Sequence, residues 1–222
     1  MNEGLGVDVS KTLCSSIGNF VFPGWVESRE SVWNREFVIR RKEPMERITY
    51  EQLLVEKGQI SKQAMAECET RLNSIAKPLH SLGKLEEVMI RVAGIRGTSN
   101  MTIKKKALVV MCSDNGIVEE GVSQTGMEVT KLVAENLSRE ETCAAIMAKQ
   151  QSVDVFPIDI GIVTDTILPN YKIAYGTKNF AKEPAMTLEQ AKQAIEVGAN
   201  LVMELKEQGY DMVCTGEMGI GG

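Results

Sequence analysis

The sequence predicts an α/β protein built on a parallel sheet. Continuous apolar runs predict three strands: one follows a basic flank in "KKKALVVMCSDNG", and the others lie in "SVDVFPIDIGI" and "YDMVCTGEMG". Unbroken runs of this kind are typical of strands that are buried on both faces. Helical sequence separates the runs, and this alternation is the pattern of right-handed crossovers onto a parallel sheet.

The composition is that of a folded protein with a sizeable core. The 222-residue chain is 43% apolar and 25% charged, with a net charge of −5. Its basic clusters, residues 40–42 and 104–106, are short, which favours solvated positions over a nucleic-acid patch. No run approaches the ~20 apolar residues of a membrane span, and the N-terminus lacks a signal-peptide pattern. We therefore expect a cytoplasmic protein that binds neither nucleic acid nor a membrane.

The cysteine and histidine content excludes several kinds of site. Five cysteines, with no Cys-x-x-Cys pair, argue against both a disulfide framework and a zinc site. Cys112 and Cys214 lie inside apolar runs and are predicted to be small buried hydrophobic residues. His80, the single histidine, lies in a proline-containing loop, which favours a non-catalytic role. We expect neither a metal nor a cofactor.

Sequence texture divides the chain into three predicted regions. Residues 1–44 show neither helical nor strand periodicity and are predicted to be an extension. Residues 45–100 are predicted to form a small helical subdomain, and residues 101–222 an incomplete parallel α/β core.

Capping residues mark the helices of the predicted subdomain. Thr49 and Gln52 form a capping box, and this first helix is predicted to close on Gly58. Ser61 is predicted to cap a second helix that runs to about residue 74. A third is predicted from near residue 81 to Gly97, with one buried apolar face: Leu82, Leu85, Val88, Met89, Val92 and Ile95.

Helices are also predicted between the strands. The first connection reads as two pieces, 127–137 and 139–150, with a capping box from Ser138 and Glu141. The second connection begins with a capping box from Thr187 and Gln190 and ends at Gly209. Its predicted buried face comprises Ala191, Ala194, Ile195, Gly198, Leu201, Val202 and Leu205.

Ligands of parallel sheets bind beyond the carboxyl ends of the strands, so these ends are the predicted site. The third end, "GEMGIGG", is rich in glycines that let backbone N–H groups approach phosphate oxygens. Glu217 would repel a phosphate but can accept hydrogen bonds from ribose hydroxyls. The spacing fits neither a dinucleotide fingerprint nor a P-loop, so a ligand loop and an ordinary tight turn both remain open.

The other two strand ends offer weaker signals. Asp114 to Gly116 predict a turn that opens a long polar loop, which suits either the wall of a small-molecule pocket or a simple Asn-Gly turn. The second end leads to "GTKNF", where Lys178 could pair with a phosphate or lie free at the surface.

Several segments, taken in order, resemble one enzyme family. They are "RLNSIAKPLHSLGKLEEVMIRVAGIRGT", "SDNGIVEEGVSQTGMEVT", "PIDIGI", "GTKNF…EPAMTLEQA" and "GEMGIG". Across roughly residues 46–221 the chain resembles the nicotinate-nucleotide–dimethylbenzimidazole phosphoribosyltransferases of cobalamin biosynthesis. The resemblance implies a three-layer Rossmann-like sheet, no metal, a homodimer, and transfer of phosphoribose from nicotinate mononucleotide to a benzimidazole base.

The resemblance also implies roles for individual residues. The ribose-phosphate loop would comprise Glu217, Met218, Gly219, Ile220 and Gly221. Ser123 would belong to the wall against which the base stacks, whereas Asp114 and Gly116 would shape their loop rather than react. Lys178 stays a candidate phosphate contact.

Departures from the family pattern limit what the resemblance implies. Gly222 stands where the family has Asn, before a further region that holds the general-base glutamate, and Leu79 and His80 replace a Pro-Gly pair. We therefore expect a C-terminally truncated transferase with little or no activity by itself. The alternatives are a generic Rossmann-type nucleotide-binding module and a non-catalytic protein that binds the base without turnover.

Overall fold

The computed structural model describes residues 47–55 and 58–222, so the predicted extension at residues 1–44 lies outside the described part. The helices and strands follow one another in a regular alternation after residue 105. In chain order they are α1 (Tyr50–Val55), α2 (Lys62–Ser74), α3 (Lys84–Arg96), β1 (Lys106–Ser113), a 3-10 helix (Gly116–Glu120), α4 (Glu128–Ser138), α5 (Cys143–Gln150), β2 (Val153–Gly161), α6 (Leu188–Glu207) and β3 (Met212–Met218).

The predicted parallel sheet is confirmed. Strand β1 lies in the centre and pairs in parallel with both β2 and β3, giving the order β2-β1-β3. Near its carboxyl end, Cys112 of β1 lies opposite Asp159 of β2 and Met218 of β3. The loops that leave the three strands therefore start side by side at one edge of the sheet.

Helices cover both faces of the sheet, which makes the three predicted layers. On one face, Cys112 packs in a core cluster with Ala134 of α4 and Ala145 of α5. On the other face, Val109 packs with Leu201 of α6. Alternate side chains of β1 point to opposite faces, so burial of both sets explains the unbroken apolar sequence of this strand.

Helices α2 and α3 begin and end close to their predicted bounds, but α3 buries a different face. Ser61 caps α2, and Gly97 ends α3 in the left-handed conformation. The buried residues of α3 are Glu86, Ala93 and Gly94. Of the face predicted to be buried, Leu82, Leu85, Val88 and Ile95 are instead exposed. The prediction of the buried face is therefore wrong.

Close packing of α3 on the start of α2 explains the change of face. A Cβ at Gly94 would lie 2.7 Å from Cγ of Met65, and the Gly94 carbonyl accepts a hydrogen bond from Ser61 N (2.9 Å). Only a glycine allows this approach, and it turns the small residues of α3 inward. The larger apolar side chains consequently face outward.

Two predictions in the α/β core also need correction. Thr142, rather than Ser138, caps α5, because its side chain accepts a hydrogen bond from Ala145 N and Glu140 turns the chain with a φ of 61°. Cys112 is fully buried as predicted, but Cys214, which lies in the edge strand β3 of the described sheet, is exposed.

Helix α6 keeps its predicted capping box between Thr187 and Gln190. Its firmly buried residues are Leu201 and Leu205, and two members of the predicted face are exposed, namely Ile195 and Val202. The capping box of Thr49 and Gln52 is also present, at the start of α1.

The described part of the N-terminal region contacts the α/β core. The backbone of Ile48 forms hydrogen bonds in both directions with the Asn200 side chain of α6 (3.0 and 3.1 Å). The division at residue 100 stays a prediction. Within residues 47–55 and 58–222, no helix combines the length and apolarity that a bilayer crossing requires.

Candidate functional site

Three segments leave the carboxyl ends of the strands. We call residues 114–127 the β1-exit loop, residues 162–186 the β2-exit loop and residues 219–222 the glycine turn. The contacts among these segments define the candidate site, because the parallel register brings their starting points together.

Asp114 fixes the start of the β1-exit loop. Its backbone N donates to the Gly161 carbonyl (3.0 Å), and its own carbonyl accepts from Thr177 N (2.9 Å). One carboxylate oxygen, Oδ2, accepts from Val163 N at 2.8 Å. The fully buried Asp114 therefore joins the first two strand ends and orders the backbone between them.

Gly116 allows the β1-exit and β2-exit loops to touch through their backbones. Its N donates to Oγ1 of Thr177 (3.2 Å). A Cβ at this position would lie 2.6 Å from the backbone N of Asn179, which leaves no room for any side chain. Asp114 and Gly116 thus order the backbone of the two loops, and their role in the site stays a prediction.

The glycine turn is held against the β1-exit loop. The Asn115 side chain donates to the Ile220 carbonyl (3.2 Å), and Ile220 N donates to Oγ1 of the buried Thr130 in α4 (3.1 Å). A Cβ at Gly219 would lie only 2.2 Å from the Ser113 carbonyl oxygen, and Gly221 has a φ of 85°. Both positions therefore require glycine, since a side chain would clash at the first and strain the backbone at the second.

The remaining predicted site residues differ in exposure and in the contacts that they make. Glu217 is exposed at the strand end, whereas Met218 packs against the core that α4 and α5 share. Ser123 is half-buried, and its Oγ accepts from Thr125 N within the same loop (3.3 Å). Lys178 pairs with Glu183 of its own loop at 2.6 Å, and both side chains are more than half exposed. Ser123 and Lys178 are thus each engaged locally.

A buried ion pair that the sequence patterns did not predict organises the β2-exit loop. The carboxylate of Asp159 in β2 pairs with Lys172, and both side chains are buried. Lys172 Nζ also donates to the carbonyls of Ile162 (2.8 Å) and Thr164 (3.0 Å), and the Thr166 hydroxyl donates to Asp159 Oδ2 (2.8 Å). The signal was present in the sequence, because an aspartate inside an apolar run needs a buried partner.

A second set of polar contacts that the sequence patterns did not predict joins the β2-exit loop to the end of the 3-10 helix in the β1-exit loop. Asn179 and Lys182 of the β2-exit loop contact Glu119 and Glu120 at the end of the 3-10 helix. Hydrogen bonds from Lys182 and Asn179 lower the pKa of Glu119, and the bond from Lys182 has the larger effect. The same two donors lower the pKa of Glu120, where the bond from Asn179 has the larger effect. The two glutamates in turn raise the pKa of Lys182. All three groups are therefore charged at neutral pH.

The arrangement suits a small anionic ligand with a polar body. Backbone N–H groups of a glycine-rich segment attract phosphate oxygens, and an exposed carboxylate beside them can accept hydrogen bonds from hydroxyl groups. Among residues 47–55 and 58–222, no cluster of three or more histidine, cysteine, aspartate or glutamate side chains is arranged to hold a metal ion.

Comparisons with known proteins identify relatives of this chain. A family model described as a phosphoribosyltransferase matches residues 58–222. A nicotinate-nucleotide–dimethylbenzimidazole phosphoribosyltransferase of Clostridium tetani is 50% identical over 155 residues, which cover 68% of this chain and 43% of that relative. A protein of the same name from Ruminiclostridium cellulolyticum is 39% identical over 177 residues, which cover 78% of this chain and 50% of that relative.

Solved structures agree with these sequence matches. CobT from Thermus thermophilus superposes with a TM-score of 0.68 and 32% sequence identity, covering 72% of this chain and 49% of that one. The chain thus spans about half the length of the relatives it matches.

Proposed function

The chain belongs to the phosphoribosyltransferase family whose model it matches, and on this premise we propose a reaction for it. It takes part in transferring the 5-phosphoribosyl group from nicotinate mononucleotide to 5,6-dimethylbenzimidazole or a related base. The products are nicotinate and α-ribazole 5′-phosphate, a step of cobalamin biosynthesis. The observation that carries the proposal is the glycine turn, which is held against the β1-exit loop at the carboxyl edge of the sheet.

The glycine turn is proposed to hold the ribose phosphate. Glu217 accepts hydrogen bonds from the ribose hydroxyls, and Gly219 and Gly221 present their backbone N–H groups to the phosphate. Ile220 keeps the turn in place through its bonds to Thr130 and Asn115, and Met218 supports the turn from the core. The clash-free approach of Gly219 to Ser113 and the bond from Asn115 to Ile220 support this role, because they hold the turn in one position. Lys178 would contact the phosphate after leaving Glu183.

The incoming base is proposed to stack near Ser123 of the β1-exit loop. Nicotinate leaves readily because it is bound through a pyridinium nitrogen, so the protein mainly aligns the two substrates and removes a proton from the base. We assign no catalytic residue within the chain. The resemblance places the general-base glutamate in the part of the family that this chain does not span.

Titration of the purified 222-residue polypeptide with nicotinate mononucleotide tests the proposal. We expect saturable binding in a calorimeter, with little or no production of α-ribazole 5′-phosphate. Glu217→Gln should weaken binding of the nucleotide but not of inorganic phosphate, because the carboxylate contacts only ribose. Absence of nucleotide binding would reject the proposal.

A second assay separates transfer from binding alone. The polypeptide is mixed with a second polypeptide that carries the remaining half of the Clostridium tetani relative, and product is measured by chromatography. Product formation supports the transferase. Binding of nucleotide and base without any product in this mixture supports the non-catalytic alternative instead.

We further propose that the protein is a cytoplasmic homodimer. The exposed apolar side chains Leu85, Val88 and Ile95 of α3 support association, because burial of apolar side chains between two copies would be favourable. The free thiols of Cys68, Cys112, Cys143 and Cys214 support a reducing compartment. Light scattering coupled to size-exclusion chromatography measures the oligomeric state.

A further inference from the structure

We propose that Asn179 is a positioning residue that holds the β1-exit loop in the conformation that receives the incoming base. This inference rests on the proposed function, because it deepens the role given there to the loop around Ser123. Asn179 lies in the segment "GTKNF", in which the sequence analysis considered only Lys178 as a candidate. Three observations carry it: the geometry of the Asn179 amide, the weakness of the competing contacts, and the independent anchoring of the glycine turn.

The amide of Asn179 is buried and fully oriented. Its Nδ2 donates to Oε1 of Glu120 at 2.6 Å and lies 3.4 Å from Oε2 of Glu119. Its Oδ1 accepts from the backbone N of Ala181 at 3.0 Å. A flip that exchanged the amide oxygen and nitrogen would place the oxygen against two carboxylates and the NH₂ against an N–H donor. An asparagine is therefore required in this orientation, and an aspartate would repel both glutamates.

The other contacts between these parts of the two loops are weaker. Lys182 pairs with Glu119 (3.0 Å) and Glu120 (3.1 Å), but its side chain is 62% exposed. Solvent screens such pairs, and exposed ion pairs contribute little to stability. Asn179 is only 6% exposed, the Glu120 side chain that it bonds is 39% exposed, and a hydrogen bond to a charged acceptor is among the stronger kinds. Asn179 is therefore the principal connection to the end of the 3-10 helix.

The position of Glu120 decides the course of the chain toward Ser123. Gly121 follows immediately with a φ of 71°, and its N–H closes the 3-10 helix on the Val118 carbonyl. Ser123 lies two residues beyond this turn. A shift of Glu120 would consequently displace the loop segment that is proposed to face the base.

The glycine turn has hydrogen bonds of its own that do not involve Asn179. It is connected through Asn115 at the start of the β1-exit loop and through Thr130 in α4. Loss of the Asn179 contact should therefore impair the base site selectively and leave the nucleotide site intact. A merely structural contribution to folding would affect both sites alike.

Asn179→Asp is the sharpest single variant, because it keeps the shape of the side chain and its bond from Ala181. We expect the dissociation constant for 5,6-dimethylbenzimidazole to rise about tenfold, as for a lost hydrogen bond to a charged group. The dissociation constant for nicotinate mononucleotide should stay within about twofold. Glu120→Gln added to this variant exchanges donor and acceptor, and it should restore most of the affinity for the base.

Asn200→Ala is the matched control, since it removes an asparagine that also joins two segments but lies in α6, where it contacts Ile48. It should lower stability without changing either dissociation constant. Hydrogen exchange followed by mass spectrometry provides a readout without ligand. Asn179→Asp should accelerate exchange in residues 116–126 but not in residues 212–222.

The outcomes are distinguishable. Unchanged exchange in residues 116–126, or an equal loss of affinity for base and nucleotide, overturns the role of Asn179. If the unmodified chain binds neither ligand, the proposed function fails. In that case accelerated exchange restricted to residues 116–126 would show that Asn179 holds the loop, and the link to the base would be rejected together with the function.

Discussion

The two ends of the three-stranded sheet are built from different kinds of interaction. At the amino end, Asp211 accepts hydrogen bonds from the backbone of Lys104 (2.9 Å) and Lys105 (3.2 Å) and pairs with Arg96 of α3 (3.3 Å). At the carboxyl end, the groups in contact are buried polar side chains and glycine backbones, as in the approach of Gly219 to Ser113. The amino end thus relies on long side chains that solvent reaches, whereas the carboxyl end relies on close contacts that solvent cannot replace.

Side-chain contacts around an aromatic ring also hold the amino end of the sheet together. Tyr210 packs edge-on against Phe156 with ring centroids 5.5 Å apart, and its hydroxyl donates to Asp154 (2.7 Å). The Lys105 ammonium lies 4.1 Å from the centre of the Tyr210 ring. Substitutions at the amino end should therefore change stability alone, whereas substitutions at the carboxyl end should change ligand affinity as well.

Lys172→Met should have the largest effect, because it leaves the buried Asp159 carboxylate without its counter-ion. Breaking a buried ion pair by removing one partner costs about 3–5 kcal/mol. We expect a loss of this size in the free energy of unfolding, measured by urea denaturation with circular dichroism. The double variant Asp159→Asn, Lys172→Met should recover most of it. A loss below about 1 kcal/mol for Lys172→Met would contradict the importance of this pair.

Gly219→Ala should weaken nicotinate mononucleotide binding by more than about tenfold and cost about 1–3 kcal/mol of stability. The added Cβ would lie 2.2 Å from the Ser113 carbonyl oxygen, so the glycine turn must move. Gly216→Ala in β3, shortly before the glycine turn, is the control, since its Cβ would make an ordinary contact of 3.4 Å. Calorimetric titration measures both variants, and equal affinities would show that the turn does not bind the nucleotide.

Alkaline conditions should destabilise the fold through one group at each end of the sheet. Burial raises the pKa of the Cys112 thiol from 9.0 to about 12. Burial and the hydrogen bond to Asp154 raise the pKa of Tyr210 above its ordinary value of 10.0. Both groups ionise first in the unfolded chain, so the stability that they contribute is complete below about pH 9 and is lost as the pH rises toward the folded values.

Urea denaturation between about pH 8 and about pH 11 measures this loss. Cys112→Ala should reduce the slope of the unfolding free energy from about pH 9 upward, and Tyr210→Phe should reduce it from about pH 10 upward. A slope that neither variant changes would mean that other groups cause the alkaline loss.

Asp211→Asn should have the smallest effect, limited to stability. The backbone N–H groups of Lys104 and Lys105 lower the pKa of Asp211 below its ordinary value of 3.8. The contribution of the carboxylate is therefore present above this value and is lost as the pH falls through the lower folded pKa. The variant should be less stable than the parent at about pH 7, and this difference should shrink below about pH 4. A change in the affinity of Asp211→Asn for nicotinate mononucleotide would contradict the claim that substitutions at the amino end change stability alone.

Local signals in the sequence were sufficient for the bounds and order of most elements. Capping boxes at Thr49 and Thr187 start the helices where they were predicted, and Gly97 ends α3. These signals act within about four residues, so they do not depend on the rest of the fold. The sequence alternation also predicted the parallel sheet, and with it the edge at which the three loops start.

Only the tertiary structure decided which faces are buried and which distant side chains meet. The contact of Asn179 with Glu120 joins residues 59 positions apart, and the pair of Lys172 with Asp159 joins residues 13 apart. Periodicity gives the faces of a helix but not its neighbour, so the approach of α2 to Gly94 reversed the predicted burial of α3. The physical reason is that caps are satisfied within one turn of the chain, whereas burial and buried polar pairs depend on which segments the fold brings together.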